Sequence, residues 1–167
     1  MTMPAGVTRS DTEVLLKGVS DTERLASQIS DAARVGDLLC LSGDLGAGKT
    51  TFARAFIWAR GQRAGVEVGE VPSPTFTLAQ VYELPDASIW HFDLFRLESA
   101  EETMELGIWD ALQDGICLVE WPDRLPQIEI AARLDLSFEF GDLQDERGVR
   151  MAWGEDWQER RVGLEYS

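Results

Sequence analysis

Residues 43–56 read GDLGAGKTTFARAF. Within them Gly43-Asp44-Leu45-Gly46-Ala47-Gly48-Lys49-Thr50 satisfies G-x-x-x-x-G-K-[ST]. Glycines at that spacing allow positive φ angles and close backbone approach, so successive N–H groups can converge on one phosphate. The preceding segment, DLLCLS (37–42), is a short continuous apolar run, as expected of a strand buried on both faces of a parallel sheet. The following segment, TTFARAFIWAR, repeats its apolar residues at helical period. Strand, glycine loop and helix in that order make a phosphate cradle, with the positive end of the helix dipole at the phosphate. In such a cradle Lys49 reaches the β- and γ-phosphates and the Thr50 hydroxyl ligates Mg²⁺.

Outward from this core the elements alternate. A first strand is expected at 13–16. Ser20-Asp21-Thr22-Glu23 has the S-x-x-E form of a capping box, and Leu25, Ile29 and Ala33 follow as one face of a helix ending near Gly36. Residues 61–74, rich in Gly, Glu and Pro, read as a loop. TFTLAQVYEL and SIWHFDLFRL flank Pro85-Asp86-Ala87 and predict an antiparallel hairpin. Ser99-Ala-Glu-Glu102 is a second capping box, opening a helix to about Leu112. GICLVEW (115–121) is another continuous apolar run, and the strictly alternating RLDLSFEF (133–140) pairs with VRMAW (149–153) in a second hairpin. The expected fold is α/β, a P-loop NTPase-like three-layer sandwich whose mixed central sheet includes antiparallel hairpin strands. One domain is expected over 1–167, with 1–10 a loosely ordered leader and about 155–167 a tail of uncertain structure.

A magnesium site needs a carboxylate near the cradle. Glu120 closes the run Ile116-Cys-Leu-Val, at the carboxyl end of a strand, where ligands gather in parallel sheets. An acid there is costly unless a cation or hydrogen bonds meet it. Asp93 in HFDLFR (91–96) is a second candidate, although hairpin alternation also accommodates an exposed aspartate. His91, the sole histidine, reads on its own as a packed or surface residue. Asparagine is absent from the chain, which excludes the N-K-x-D base reader of Ras-type GTPases, and no L-S-G-G-Q-like signature occurs. ATP is the expected nucleotide.

Composition narrows the partners. Thirty acidic against 15 basic residues give a net charge of −15, a field that disfavours direct, tight nucleic-acid binding and suits either a basic protein partner or mere solubility. No apolar stretch approaches the roughly 18 residues of a membrane span, and residues 1–10 lack the apolar region of a secretory signal. A cytoplasmic location is expected. Cys40 and Cys117 lie in separate apolar runs and read as buried, reduced thiols.

Four blocks in order, LSGDLGAGKTTFARAF, VPSPTFTL, HFDLFRL and CLVEWPDRL, resemble the TsaE family, the YjeE-type ATPases of bacterial tRNA threonylcarbamoyladenosine synthesis. The resemblance spans roughly residues 20–126; Phe76 and Phe95 stand where the family often has tyrosine. It implies a weak ATPase acting with TsaD, which transfers the threonylcarbamoyl group, and with TsaB, its non-catalytic relative, so that tRNA is met only through the complex. The product implied is modified adenosine just 3′ of the anticodon in tRNAs reading codons that begin with A. ATP binding would support docking on the TsaB–TsaD pair, and hydrolysis would reset it.

Carried to this chain, the resemblance gives Gly43, Asp44, Leu45, Gly46, Ala47, Gly48, Lys49, Thr50 and Thr51 as nucleotide-binding residues. Thr50 and Glu120 become metal ligands, and Lys49, Asp93 and Glu120 catalytic residues. Thr75, in the switch-like Ser73-Pro74-Thr75-Phe76, senses the γ-phosphate or its metal. Trp121 contacts the nucleotide or only closes the core, and the turn at Val19–Ser20 approaches the adenine. An arginine finger would come either from a partner or in cis from Arg54, Arg96 or Arg124. Two other readings stand beside this one, a small-molecule kinase and a non-hydrolysing ATP-dependent sensor.

Overall fold

The computed structural model describes residues 10–127 and 129–161. Strands β1 (Ser10–Leu16), β2 (Leu38–Ser42), β3 (Ala79–Glu83), β4 (Ser88–Asp93), β5 (Gly115–Glu120), β6 (Arg133–Phe140) and β7 (Arg147–Trp153) form one sheet in the order β1-β7-β6-β2-β5-β4-β3. β2 runs parallel to β5 and β6, and β4 parallel to β5. The β3–β4, β6–β7 and β1–β7 pairs are antiparallel. Both expected hairpins are present, and the sheet is mixed as the sequence predicts.

Burial follows the hydrophobic pattern of each strand. Leu39 and Leu41 of β2, with Ile116 and Leu118 of β5, enter a core shared with helices α1 (Val19–Ala32) and α2 (Lys49–Arg63). The alternate residues Leu38, Cys40, Cys117 and Val119 enter a second core on the other sheet face. That core is shared with Ile108 and Ala111 of α4 (Ile108–Asp114), which follows α3 (Ala100–Glu105). Continuous apolar runs are therefore the strands covered on both faces. In β6, by contrast, only Leu134, Leu136 and Phe138 are buried, because only the α1–α2 side is covered there. Among the described residues no helix is long and apolar enough to cross a membrane.

Several element ends differ from expectation. The Ser20–Glu23 capping box does not form: α1 starts at Val19 behind the extended Gly18, which places Ser20 inside the first turn. The Asp21 carboxylate instead accepts the Lys17 N–H at 2.9 Å. At its other end α1 stops at Ala32 rather than near Gly36. Its last carbonyls are taken by arginines from elsewhere: Arg60 donates to Ser30 and Ala33, and Arg160 to Ala32. The Ser99–Glu102 box does form, but Gly107 (φ +79°) divides the expected single helix into α3 and α4. A glycine adopts that left-handed backbone without the steric cost other residues meet. α2 runs on to Arg63, and β3 begins only at Ala79, after a turn over 75–77.

The expected leader lies almost wholly outside the described residues, as does the end of the tail. Residues 155–161 are ordered against the core. A 3-10 turn (Glu155–Trp157) leads into α5 (Gln158–Arg161), and Trp157 is fully buried against Trp153. The Arg160 guanidinium lies 3.9 Å from the Trp157 ring and pairs with buried Asp37 at 2.6 and 2.9 Å.

Candidate nucleotide site

The carboxyl ends of three parallel strands meet at one point. Register sets Leu41 of β2 opposite Glu120, and Asp93 of β4 also opposite Glu120. The glycine loop leaves β2 one residue later, so the loop and both carboxylates surround one cleft. Leu45, Gly46, Gly48, Lys49, Thr50, Thr51, Ser73, Thr75, Asp93, Glu120 and Trp121 line it. Of the predicted site residues, Gly43, Asp44 and Ala47 complete the loop behind this lining: Ala47 is fully buried and donates its N–H to the Asp44 carbonyl.

The loop has the backbone that anion binding requires. Gly43, Gly46 and Gly48 take φ of +138°, +81° and +116°. At Gly43 a Cβ would lie 2.5 Å from the Phe138 carbonyl oxygen, so no other residue fits there without displacing β6. α2 opens at Lys49 with no side-chain cap, which leaves the N–H donors of its first turn for an anion. Lys49 is buried, and its ammonium donates to the Gly43 carbonyl and, at 2.9 Å, to that of Asp44. It also sits 4.2 Å from the centre of the Trp121 ring. Burial pushes the Lys49 pKa below its ordinary value, against the opposing pull of Glu120, Asp93 and Asp44. A cation held by carbonyls and a ring, facing a cleft lined by N–H groups, suits a phosphate.

The oxygen side of the cleft is equally ordered. The Thr50 hydroxyl donates to Glu120 Oε1 at 2.8 Å, and Glu120 Oε2 lies 2.6 Å from His91 Nε2. Asp93 Oδ1 accepts the Phe95 N–H at 3.0 Å, while Oδ2 accepts from the Ser73 and Thr75 hydroxyls at 3.3 and 3.4 Å. Three hydroxyls and two carboxylates form a hard oxygen set that fits Mg²⁺ accompanied by phosphate oxygens. Trp121 has the positive φ of +59° and packs against Phe95, with ring centroids 4.9 Å apart and planes tilted by 47°. Trp121 packs with the second core and also lines the cleft.

A profile of the family described as Threonylcarbamoyl adenosine biosynthesis protein TsaE matches residues 16–149. The chain belongs to the TsaE family. It is 34% identical over 129 residues to a relative in Rickettsia felis, covering 77% of this chain and 73% of that protein. A relative in Haemophilus influenzae is 41% identical over 103 residues, covering 59% and 62%. One in Aquifex aeolicus is 34% identical over 124 residues, covering 74% and 86%. Each is named tRNA threonylcarbamoyladenosine biosynthesis protein TsaE. Among solved structures, Bacillus subtilis YdiB superposes with a TM-score of 0.68 at 27% identity, covering 93% of this chain and 94% of that one. The P-loop fold and the nucleotide-binding character of a TsaE protein thus agree with the cleft.

Three features of this TsaE site depart from the sequence reading or go beyond it. His91 carried no role until the sheet brought it to Glu120. A second cleft continues past Gly46, Gly48 and Thr51 to Gly18, Val19, Thr22, Asp145 and Arg147, which joins the β6–β7 turn to the loop. The three arginine-finger candidates, finally, do not line the first cleft. Arg54 donates to the Val71 carbonyl, Arg124 to that of Leu97, and Arg96 lies over the Phe76 ring.

Proposed function

We propose that this TsaE protein binds ATP with Mg²⁺ and hydrolyses it slowly as the accessory subunit of threonylcarbamoyl modification of tRNA, working in the cytoplasm with TsaD and TsaB. The observation that carries the reading is the convergence of Lys49, Thr50, Asp93 and Glu120 on one cleft at the carboxyl ends of β2, β4 and β5. The α2 N–H groups and the Lys49 ammonium hold the phosphates. Thr50 and Glu120 would hold the metal, which would neutralise charge on the transferring phosphate. Asp93, steadied by the Phe95 N–H, orients the attacking water, and Thr75 beside it responds to the γ-phosphate. The base end of the nucleotide extends along the second cleft toward Val19. Electrostatics favour tRNA contact through the partners rather than through this chain of net charge −15.

A small-molecule kinase would need a mobile, arginine-bearing lid around the transferred phosphoryl group. Arg60 and Arg63 belong to α2 and bond to the end of α1 and to Asp86, so they furnish no mobile lid. Steady-state product analysis tests the proposal. Free phosphate is the expected product, released faster when the TsaB–TsaD pair is added. A phosphorylated metabolite, or nucleotide binding with no phosphate release under either condition, would favour the kinase or the sensor instead.

A further inference from the structure

Glu120 is gripped from two sides, and only one grip belongs to the cleft. Its Oε1 accepts from Thr50, which lines the cleft; its Oε2 meets His91, which is fully buried and does not line it. An ionised carboxylate only accepts, so His91 Nε2 carries the proton and donates. Register explains the contact. His91 lies opposite Leu118 and Asp93 opposite Glu120, so His91 and Glu120 are diagonal neighbours on the same sheet face.

The other imidazole nitrogen is the informative one. Among the described residues His91 Nδ1 is buried with no hydrogen-bond partner. An unpaired buried polar atom costs about 1–3 kcal/mol, and a position that needed only volume would be filled by Leu or Phe without that cost. Among the described residues the 2.6 Å bond to Glu120 is the one polar contact of the His91 side chain, and it offsets that cost.

We propose that His91 is a positioning residue that fixes the plane of the Glu120 carboxylate, so that its remaining lone pairs face the magnesium end of the cleft. The inference rests on reading Glu120 as the magnesium-shell carboxylate. A glutamate's last torsion is broad and roughly two-fold. Thr50 alone leaves that torsion free, and a second donor on the opposite oxygen stops the rotation. Partners of this kind, behind a metal-binding group, typically change metal affinity by about 10–100-fold.

Two variants separate this role from simple packing. His91→Phe keeps an aromatic ring and removes the donor, whereas His91→Gln keeps an N–H at the reach of Nε2. Mg²⁺ is titrated into the complex with a non-hydrolysable ATP analogue, followed by tryptophan fluorescence, and analogue binding is repeated in a chelator. His91→Phe should raise the Mg²⁺ needed for half-saturation by about tenfold or more while leaving metal-free binding unchanged, and His91→Gln should recover most of the loss. Equal loss with and without metal, or a glutamine variant no better than phenylalanine, would overturn the proposal. Should the phenylalanine variant fail to fold, the wild-type chain still decides. Its single imidazole, in tag-free protein, should give nitrogen NMR shifts of the Nε2–H tautomer that move when Mg²⁺ is added; the Nδ1–H tautomer would overturn the proposal. A wild-type chain that binds the analogue without any response to Mg²⁺ would remove the reading of Glu120, and this inference with it. A responding wild type with an unaltered His91→Phe would remove this inference alone.

Discussion

Lys49→Met should weaken ATP binding by about 30-fold or more, since losing one partner of a buried charge pair costs roughly 2–5 kcal/mol. The same substitution should leave the ligand-free protein as stable as before, or more stable. The two effects have opposite signs for one physical reason. In the free protein the Lys49 ammonium is buried on two carbonyls and the face of Trp121, and burial lowers its pKa. A folded-state pKa below the unfolded one means that the unfolded chain binds the proton more tightly. The charged lysine therefore costs stability at neutral pH, and the cost fades as pH rises through the lowered value toward 10.5. Methionine removes that cost and keeps the apolar stem. Calorimetric titration with ATP and urea unfolding of both proteins measure the two halves of the prediction. A variant that binds ATP as well as wild type would show that the cleft is not the phosphate site.

Arg160→Ala should destabilise the fold by about 3–5 kcal/mol, the cost of leaving a buried partner charge uncompensated. Arg160 and Asp37 are 7% and 3% exposed, and their bidentate pair joins α5 to the start of β2. Arg160 also donates to the Ala32 carbonyl at the end of α1 and covers Trp157. Without it, Asp37 keeps only the Arg34 N–H among the described residues, and none of them supplies its charge with a counter-ion. Such a loss is a large share of a typical domain's 5–15 kcal/mol, so the urea midpoint should fall steeply. Replacing Asp37 with an apolar residue in the same chain should recover part of the loss, because no charge is then stranded. A midpoint unchanged by Arg160→Ala would mean that residues 155–161 do not hold the core.

These two residues were not equally legible in the sequence. Lys49 announced itself because a phosphate cradle fixes residue types at fixed spacing, each for a backbone or charge reason. Glu120 was legible as an acid ending a doubly buried strand, and the contrast between continuous and alternating runs told β2 and β5 from β6. Arg160 gave no signal, since its partner Asp37 lies 123 residues away. His91 was equally silent. Its meaning depends on the parallel β4–β5 register, which no local pattern encodes. Local signals also failed where tertiary contacts took over: α1 ends on arginines from α2 and α5, and its apparent capping box lost to Gly18.

The proposed role of the cleft as the ATP-driven part of a tRNA-modifying assembly is tested most directly by repeated turnover in a reconstituted reaction. The measurement is modified adenosine formed per TsaD, with TsaB, tRNA, ATP and the threonylcarbamoyl donor present, using wild-type chain, Glu120→Ala or no added chain. Wild type should sustain many cycles, while Glu120→Ala should still bind nucleotide yet stall after the first. Equal, sustained modification by Glu120→Ala would contradict hydrolysis as the reset step. Equal modification with the chain omitted would contradict the function itself.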